Sequence, residues 1–132
     1  MTFVKTLLIL GGGTAGTVIA NKMSHKLDSQ EWRIQIVDKD LTHFYQPGFI
    51  YVPFGIYRVE DTARPKRDVI SKQVEIIFGD IDRIEPQASR VHLERGQSLS
   101  YDILVIATGC EIRPDQIKGL VNGGWHKNIF DF

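Results

Sequence analysis

A glycine pattern follows an apolar run near the start of the chain. The run ends at Leu10, and Gly11, Gly13 and Gly16 stand between it and a helical pattern. At such a turn the first glycine allows the tight bend, the second lets the main chain approach a pyrophosphate, and the third lets the helix pack closely on the strand. The helix N-terminus offers free N–H groups to the anion. The pattern predicts a phosphate-binding turn; the alternative is a turn with a structural role only.

The segments on both sides of the glycines fit a strand and a helix. Phe3–Leu10 is mostly apolar, which is typical of a parallel strand buried on both faces. Apolar residues then recur at near-helical spacing, at Val18, Ile19, Met23 and Leu27. The helix residues expected to face water are Asn21, Lys22, His25 and Lys26. We also expect an unusual backbone angle at Gly13, so that a valine there would abolish dinucleotide binding.

A second predicted strand, Trp32–Asp38, ends in an acidic residue. Asp38 follows Gly16 by about 20 residues, where a dinucleotide-binding fold places the carboxylate that binds the adenosine ribose. A carboxylate there repels a phosphate on the ribose, so the predicted ligand is FAD or NAD rather than NADP. The alternative is an ordinary strand-end residue that begins the turn Asp38–Asp40.

Length and charge favour one ordinary globular domain. The chain has 132 residues, and its 16 basic and 16 acidic residues cancel. No nucleic-acid partner is expected, because the basic residues are scattered; the one cluster, Arg64–Arg67, is interpreted as a solvated loop. No apolar run is long enough for a membrane span, and no signal-peptide pattern is visible. We expect a cytoplasmic protein, or one peripheral at the inner face of the cell membrane.

Cysteine and histidine usage excludes several kinds of site. Cys110 is the single cysteine, so the chain has no internal disulfide or CxxC pair, and we expect its thiol to be buried. The four histidines lie far apart without paired ligand spacing, and no metal site is predicted.

The middle of the chain changes character twice. Residues 41–55 are rich in aromatics, proline and glycine, and this predicted loop either forms a satellite core or walls a flat aromatic ligand. Short strand-like pieces follow, as in an antiparallel meander, at Val74–Gly79, Ile81–Ile84, Val91–Leu93 and Leu99–Tyr101. The last predicted strand is the buried run Ile103–Ala107, followed at once by Thr108 and Gly109.

These features together resemble the flavin half of the pyridine nucleotide-disulfide oxidoreductase superfamily, and specifically the sulfide:quinone oxidoreductases and the flavin subunit of flavocytochrome c. The resemblance is carried by Gly11–Gly16, Val37–Lys39, His43–Pro47, Gly79–Ile81 and Tyr101–Gly109. It implies an α/β fold, namely a Rossmann-like FAD-binding domain with a central parallel sheet and an antiparallel meander in three layers.

The resemblance also implies a domain organisation. Residues 1–115 would be the first segment of a discontinuous FAD-binding domain, and residues 116–132 would lead into a second dinucleotide-binding domain. The fold would therefore be incomplete, and we expect this segment alone to be inactive.

The same resemblance implies roles for particular residues. The FAD pyrophosphate would be held by Gly11, Gly13, Thr14, Ala15 and Gly16. Asp38, with Lys39 beside it, would bind the adenosine ribose, and the backbone of Ile81 would pair with the adenine edge. Pro47 would approach the isoalloxazine ring. The residues close to the dinucleotide at the end of the last strand would be Ala107, Thr108 and Gly109.

The implied activity is the transfer of two electrons from sulfide through FAD to a quinone. Family members use cysteine thiolates beside the flavin, but Cys110 does not map onto a reactive position, so no catalytic residue is assigned. The implied partners are a small-molecule electron donor, sulfide or NADH, and a quinone, with peripheral membrane association and a homo-oligomer as further expectations. The alternatives are a type II NADH dehydrogenase-like flavoprotein and a non-catalytic NAD-binding sensor domain.

Overall fold

A computed structural model describes residues 4–127. Its strands and α-helices, in chain order, are β1 (Lys5–Leu10), α1 (Thr14–Ser24), β2 (Trp32–Asp38), β3 (Thr42–Phe44), β4 (Ala63–Pro65), α2 (Lys66–Val69), β5 (Val74–Phe78), β6 (Ile81–Glu85), β7 (Arg90–Leu93), β8 (Ser98–Ser100), β9 (Ile103–Ile106) and α3 (Leu120–Gly123). Short 3₁₀ helices cover Gln46–Tyr51, Val59–Thr62, Pro86–Ala88 and Pro114–Gln116. Phe3, the expected start of the first strand, lies outside the described residues.

The central sheet has four strands in the order β5-β2-β1-β9. All three pairings are parallel, and Leu7 of β1 lies opposite Ile34 of β2 on one side and Ile103 of β9 on the other. Because β1 and β2 are interior strands covered on both faces, they read as nearly continuous apolar runs. The predicted central parallel sheet is confirmed, but the burial expected for its last strand is wrong, because β9 lies at an edge of the sheet, where Ile103 is 48% and Ile106 is 63% exposed.

Alternate residues of the interior strands point into two separate cores, as the two-residue period of a strand requires. On one face Leu7 and Ile9 pack against Ala20 of α1. On the other face Leu8 and Leu10 pack against residues of the β6-β7-β8 sheet, namely Val91, Leu93 and Leu99. Both pairings within that second sheet are antiparallel. Helix, parallel sheet and meander thus form the three predicted layers.

Two further details of the predicted layers are wrong. The first strand-like piece after the loop, now β5, pairs in parallel with β2 and extends the central sheet, so the meander consists of the three later strands. On α1, Val18 is 46% exposed, whereas Asn21 is half-buried. The Asn21 side chain donates to the carbonyl of Val69 at 2.8 Å and accepts from the N–H of Ser71 at 2.8 Å, so it connects α1 to the end of α2 and the residues that follow.

The aromatic segment that follows β2 does not form a buried satellite core. Phe44, Tyr45 and Phe54 are 50%, 51% and 79% exposed. Tyr51 and Tyr57 make an edge-on ring contact with centroids 5.5 Å apart, on the surface of the protein. Of the two alternatives for this segment, the satellite core is therefore wrong. None of the helices within residues 4–127 has the length and apolar character that a membrane span needs.

Candidate dinucleotide-binding site

A cavity of about 640 Å³ lies at the carboxyl edge of the central sheet. Four parts of the chain line it: the glycine turn, the segment from β2 into β3, the start of α2 and the residues after β9. Its lining residues are Gly11, Gly12, Gly13, Thr14, Ala15, Asp38, Asp40, Thr42, His43, Phe44, Gln46, Lys66, Ala107, Thr108, Gly109 and Cys110. The strand order reverses between β1 and β9, and ligands of open α/β sheets bind at such a switch point.

The turn from β1 to α1 requires glycine at its first and last positions. Gly11 has φ +96°, and a Cβ there would overlap the carbonyl oxygen of Ala107, the residue that follows β9. A Cβ on Gly16 would overlap the carbonyl oxygen of Gly11. These contacts let strand ends and helix approach each other more closely than any side chain would permit. The structural roles predicted for the first and third glycines are confirmed.

Gly13 differs from its neighbours in the turn. Its φ of −75° and ψ of −160° are extended backbone angles that any residue adopts, so the expected unusual angle at Gly13 is wrong. A Cβ built on Gly13 would meet no atom of the described residues within 4 Å, and the residue faces the cavity. The fold itself therefore does not need glycine here, whereas a ligand lying against the main chain would.

The N-terminus of α1 opens into the same cavity. Thr14 and Ala15 begin this helix of 11 residues and line the cavity. N–H groups in the first turn of a helix lack acceptors within the helix and carry the positive end of its dipole. The N–H of Gly12, two residues before the start of α1, already donates to the Asp38 carboxylate. Main-chain donors for an anion are thus grouped beside the open face of Gly13.

Asp38 is held by three donors at the end of β2. Its carboxylate accepts from the N–H of Gly12, from the N–H of Asp40 at 2.8 Å and from the ammonium of Lys66 at 2.8 Å. Burial by itself would raise the pKa of Asp38, but the Lys66 ammonium and the two N–H groups outweigh it and lower this pKa below its ordinary value. At neutral pH the cavity therefore contains a fixed carboxylate anion.

Lys66 was expected to belong to a solvated basic loop, and for this residue the expectation is wrong. Its side chain is 4% exposed, and Nζ donates to the Asp40 carbonyl at 2.9 Å besides pairing with Asp38. Arg64 and Arg67 of the same cluster are exposed, as expected. No spacing in the sequence connects Lys66 to Asp38, because the contact depends on how β4 and α2 return to the sheet edge.

The structure brings eight of the twelve predicted site residues to the cavity: Gly11, Gly13, Thr14, Ala15, Asp38, Ala107, Thr108 and Gly109. Gly16 is buried beneath the turn, and Lys39 is exposed to solvent next to Asp38. Pro47 lies in the 3₁₀ helix after β3, and Ile81 packs against the meander core at the start of β6. These four do not line the cavity, and the ligand contacts assigned to all twelve stay predictions.

Sequence reasoning did not assign several other lining residues. Gly12 belongs to the glycine turn, and the motif His43–Pro47 contains His43, Phe44 and Gln46. Their positions within these motifs could have indicated that they line the cavity. His43 Nδ1 lies 3.4 Å from the Gly12 carbonyl oxygen. Asp40, Thr42 and Lys66 carried no such signal.

Cys110 was expected to be buried, and this expectation is wrong. The residue is exposed and lines the cavity just after Gly109, whose φ of +76° turns the chain at the end of the sheet. Within residues 4–127 no group of three or more histidine, cysteine or acidic side chains could hold a metal ion.

The model of the pyridine nucleotide-disulphide oxidoreductase family matches residues 5–131. The chain belongs to this family. One similar protein is the mitochondrial sulfide:quinone oxidoreductase of Dictyostelium discoideum. It is 32% identical to this chain over 117 residues, which cover 89% of this chain and 26% of that protein. Another is the type II NADH:quinone oxidoreductase of Staphylococcus haemolyticus, 30% identical over 117 residues covering 88% of this chain and 29% of that protein.

The fold is shared with a solved protein structure. The sulfide:quinone oxidoreductase from Aquifex aeolicus matches with a TM-score of 0.71 and 24% identity, over 83% of this chain and 25% of that one. The predicted resemblance to the first, FAD-binding segment of such flavoproteins is confirmed, as is the fold class. The chain spans about a quarter of the length of the curated relatives it matches, 26% in the first case.

Proposed function

We propose that this chain binds FAD at the glycine turn and forms part of a flavin-dependent oxidoreductase that passes two electrons from sulfide through FAD to a quinone. The proposal rests above all on one observation: a single cavity joins the open main chain at Gly13 to the ionised carboxylate of Asp38. An anion-binding turn and a hydroxyl-binding carboxylate on neighbouring strands match the two polar parts of an adenosine diphosphate. The similarity to sulfide:quinone oxidoreductases supports the choice of donor and acceptor.

The residues of the cavity fit the cofactor in a definite order. Thr14 and Ala15 would donate main-chain N–H groups to the pyrophosphate, with Gly11 and Gly16 shaping the turn that presents them. Asp38 would accept from ribose hydroxyls. Small residues at the end of β9, namely Ala107, Thr108 and Gly109, would let the dinucleotide lie along the sheet edge. The bound FAD would supply the two-electron redox chemistry.

The remaining predicted contacts belong to the same proposal. The backbone of Ile81 would pair with adenine, Pro47 would approach the isoalloxazine ring, and Lys39 would border the ribose. Residues 1–115 would form the first segment of the FAD-binding domain, and residues 116–132 would lead into a second dinucleotide-binding domain. Since the chain would provide only part of the flavin site, we expect activity from the full-length protein and not from this segment alone.

A second candidate function keeps the flavin and changes the donor. The match to a type II NADH:quinone oxidoreductase covers 88% of this chain at 30% identity, close to the values for the sulfide-oxidising relative. In that case NADH would reduce the flavin and the quinone would again be the acceptor. In both cases the protein would work as a peripheral membrane protein, because its quinone is a lipid-soluble substrate, and a homo-oligomer is part of the proposal. A non-catalytic NAD-binding sensor is the third alternative.

Two measurements on the purified full-length protein separate these functions. The proposal predicts flavin absorbance in the native protein and release of FAD on denaturation. Quinone reduction is then followed with sulfide or NADH as donor: turnover with sulfide supports the first candidate, and turnover with NADH alone supports the second. A colourless protein that takes up no FAD but binds NADH tightly would contradict both and favour the sensor.

A further inference from the structure

Lys66 is a buried cation that lines the cavity, and none of the predicted cofactor contacts gives it a role. Its side chain is 4% exposed, and its Cε lies close to Gly12, 3.2 Å from where a Cβ of that residue would stand. Burying an ammonium is costly unless its protons find acceptors. Such a group in a ligand cavity therefore needs a specific function in the fold or in binding.

The hydrogen bonds of Lys66 account for only part of its donor capacity. An ammonium has three donors. One is directed to Asp38 at 2.8 Å and one to the Asp40 carbonyl at 2.9 Å. Among the residues that the structure describes, the third proton has no acceptor, and Lys66 lines the cavity beside Asp38. A ligand oxygen bound by Asp38 would lie next to this free donor.

We propose that Lys66 is a ribose-binding residue, which fixes the Asp38 carboxylate from one side and donates its third proton to a ribose hydroxyl oxygen of the bound adenosine nucleotide. This inference rests on the proposed function, since it needs an adenosine nucleotide in this cavity. A hydroxyl both donates and accepts. Asp38 accepts its proton and Lys66 donates to its oxygen, so the pair recognises a neutral hydroxyl with both partners satisfied. The charges of Asp38 and Lys66 offset each other, and an uncharged ribose fits this pair.

The test compares ADP with 2′-deoxy-ADP and 3′-deoxy-ADP on the full-length protein freed of flavin, by competition with FAD. We expect Lys66→Met, which keeps an unbranched side chain as far as Cε and removes the ammonium, to reduce the preference of the protein for ADP over one of the deoxy analogues by roughly 10- to 150-fold, the range for one hydrogen bond to a charged group. The matched control is Lys72→Met, because Lys72 is exposed and does not line the cavity. This control should keep the wild-type preference.

A role of Lys66 in the fold alone, with no contact to the ribose and no effect on Asp38, gives a different result. All three ligands would then bind more weakly to Lys66→Met by the same factor, the preference for the hydroxyl would be unchanged, and the inference would be overturned. Failure of the wild-type protein to bind either ADP or FAD would instead refute the proposed function.

A crystal structure of the wild-type protein with ADP distinguishes a direct contact of Lys66 from an effect through Asp38, and it also decides the matter if the variant does not fold. Lys66 Nζ within hydrogen-bond distance of a ribose oxygen supports the inference, and a ribose bound out of its reach overturns it.

Discussion

Replacing single glycines of the turn should separate the stability of the fold from the binding of the cofactor. Gly13 and Gly16 lie three positions apart, and the structure gives them opposite surroundings. A Cβ on Gly16 would overlap the carbonyl oxygen of Gly11, whereas a Cβ on Gly13 would meet nothing within 4 Å. Alanine at each position adds the same methyl group, so the two variants form a matched pair.

The expected magnitudes follow from these surroundings. The methyl of Gly16→Ala meets backbone that cannot rotate away, so we expect a loss near or above the upper end of overpacking costs, about 3 kcal/mol. For Gly13→Ala two small effects oppose each other. Fewer unfolded conformations stabilise the protein by roughly 0.4–1 kcal/mol, while alanine in place of glycine before the first helical residue costs up to about 1 kcal/mol. The net change in the free energy of unfolding should lie within about 1 kcal/mol.

Binding should respond in the opposite order. The methyl of Gly13→Ala would occupy space proposed for phosphate oxygens and would weaken one charge-assisted main-chain hydrogen bond, about 1.5–3 kcal/mol. This corresponds to roughly a 10- to 150-fold weaker affinity for FAD, and Gly13→Val should lose more. Urea unfolding of the flavin-free protein measures stability, and titration with FAD measures affinity. A Gly13→Ala protein that binds FAD like the wild type, or that unfolds as easily as Gly16→Ala, would refute this reasoning.

Three further substitutions test other parts of the structure. Asn21→Ala removes the hydrogen bonds to Val69 and Ser71 and should cost about 1–3 kcal/mol in urea unfolding; Lys22→Ala, on the exposed side of α1, is the control and should change little. Leu8→Ala truncates a fully buried side chain and should lower the free energy of unfolding by about 2–5 kcal/mol in the same assay. A smaller loss would contradict the packing of Leu8 between the central sheet and the β6-β7-β8 sheet. Asp38→Asn should destabilise the protein most at neutral pH. The pKa of Asp38 is lower in the folded protein than in the unfolded chain, so the ionised carboxylate stabilises the fold at pH values above the unfolded pKa of 3.8. This stabilisation is lost as the pH falls through the lowered pKa of the folded protein. Urea unfolding of the wild type and of Asp38→Asn from pH 7 to pH 3 should therefore show that their difference in the free energy of unfolding becomes smaller at the acid end. A difference that stays constant would contradict the role of the ionised carboxylate.

Local sequence signals were sufficient for the parts of the site that one strand and its turn form. Gly11 and Gly16 are glycine because backbone lies where a Cβ would stand, and their spacing after an apolar strand made this visible. Asp38 was found in the same way, from its place at the end of a second buried strand. Gly16 and Asp38 owe their positions to neighbours within one β-α-β unit, which the local sequence specifies. The backbone that crowds Gly11 belongs to Ala107 and Thr108, but the φ of +96° at Gly11 belongs to the turn itself.

Features formed by distant segments were not predictable in this way. Lys66 became a buried partner of Asp38 because β4 and α2 bring it back to the sheet edge, and a basic cluster by itself indicates solvent. Asn21 hydrogen-bonds the last residue of α2, 48 residues further along the chain, rather than water. The strand β5 has the same short alternating pattern as the meander strands, and only its pairing with β2 distinguishes it.

The most direct test is a crystal structure of the full-length protein with its bound cofactor. We predict density for a dinucleotide whose pyrophosphate lies against the main chain of Gly13, Thr14 and Ala15, with the adenosine ribose beside Asp38. A dinucleotide bound in a different crevice, with the glycine turn free of ligand, would contradict the central claim.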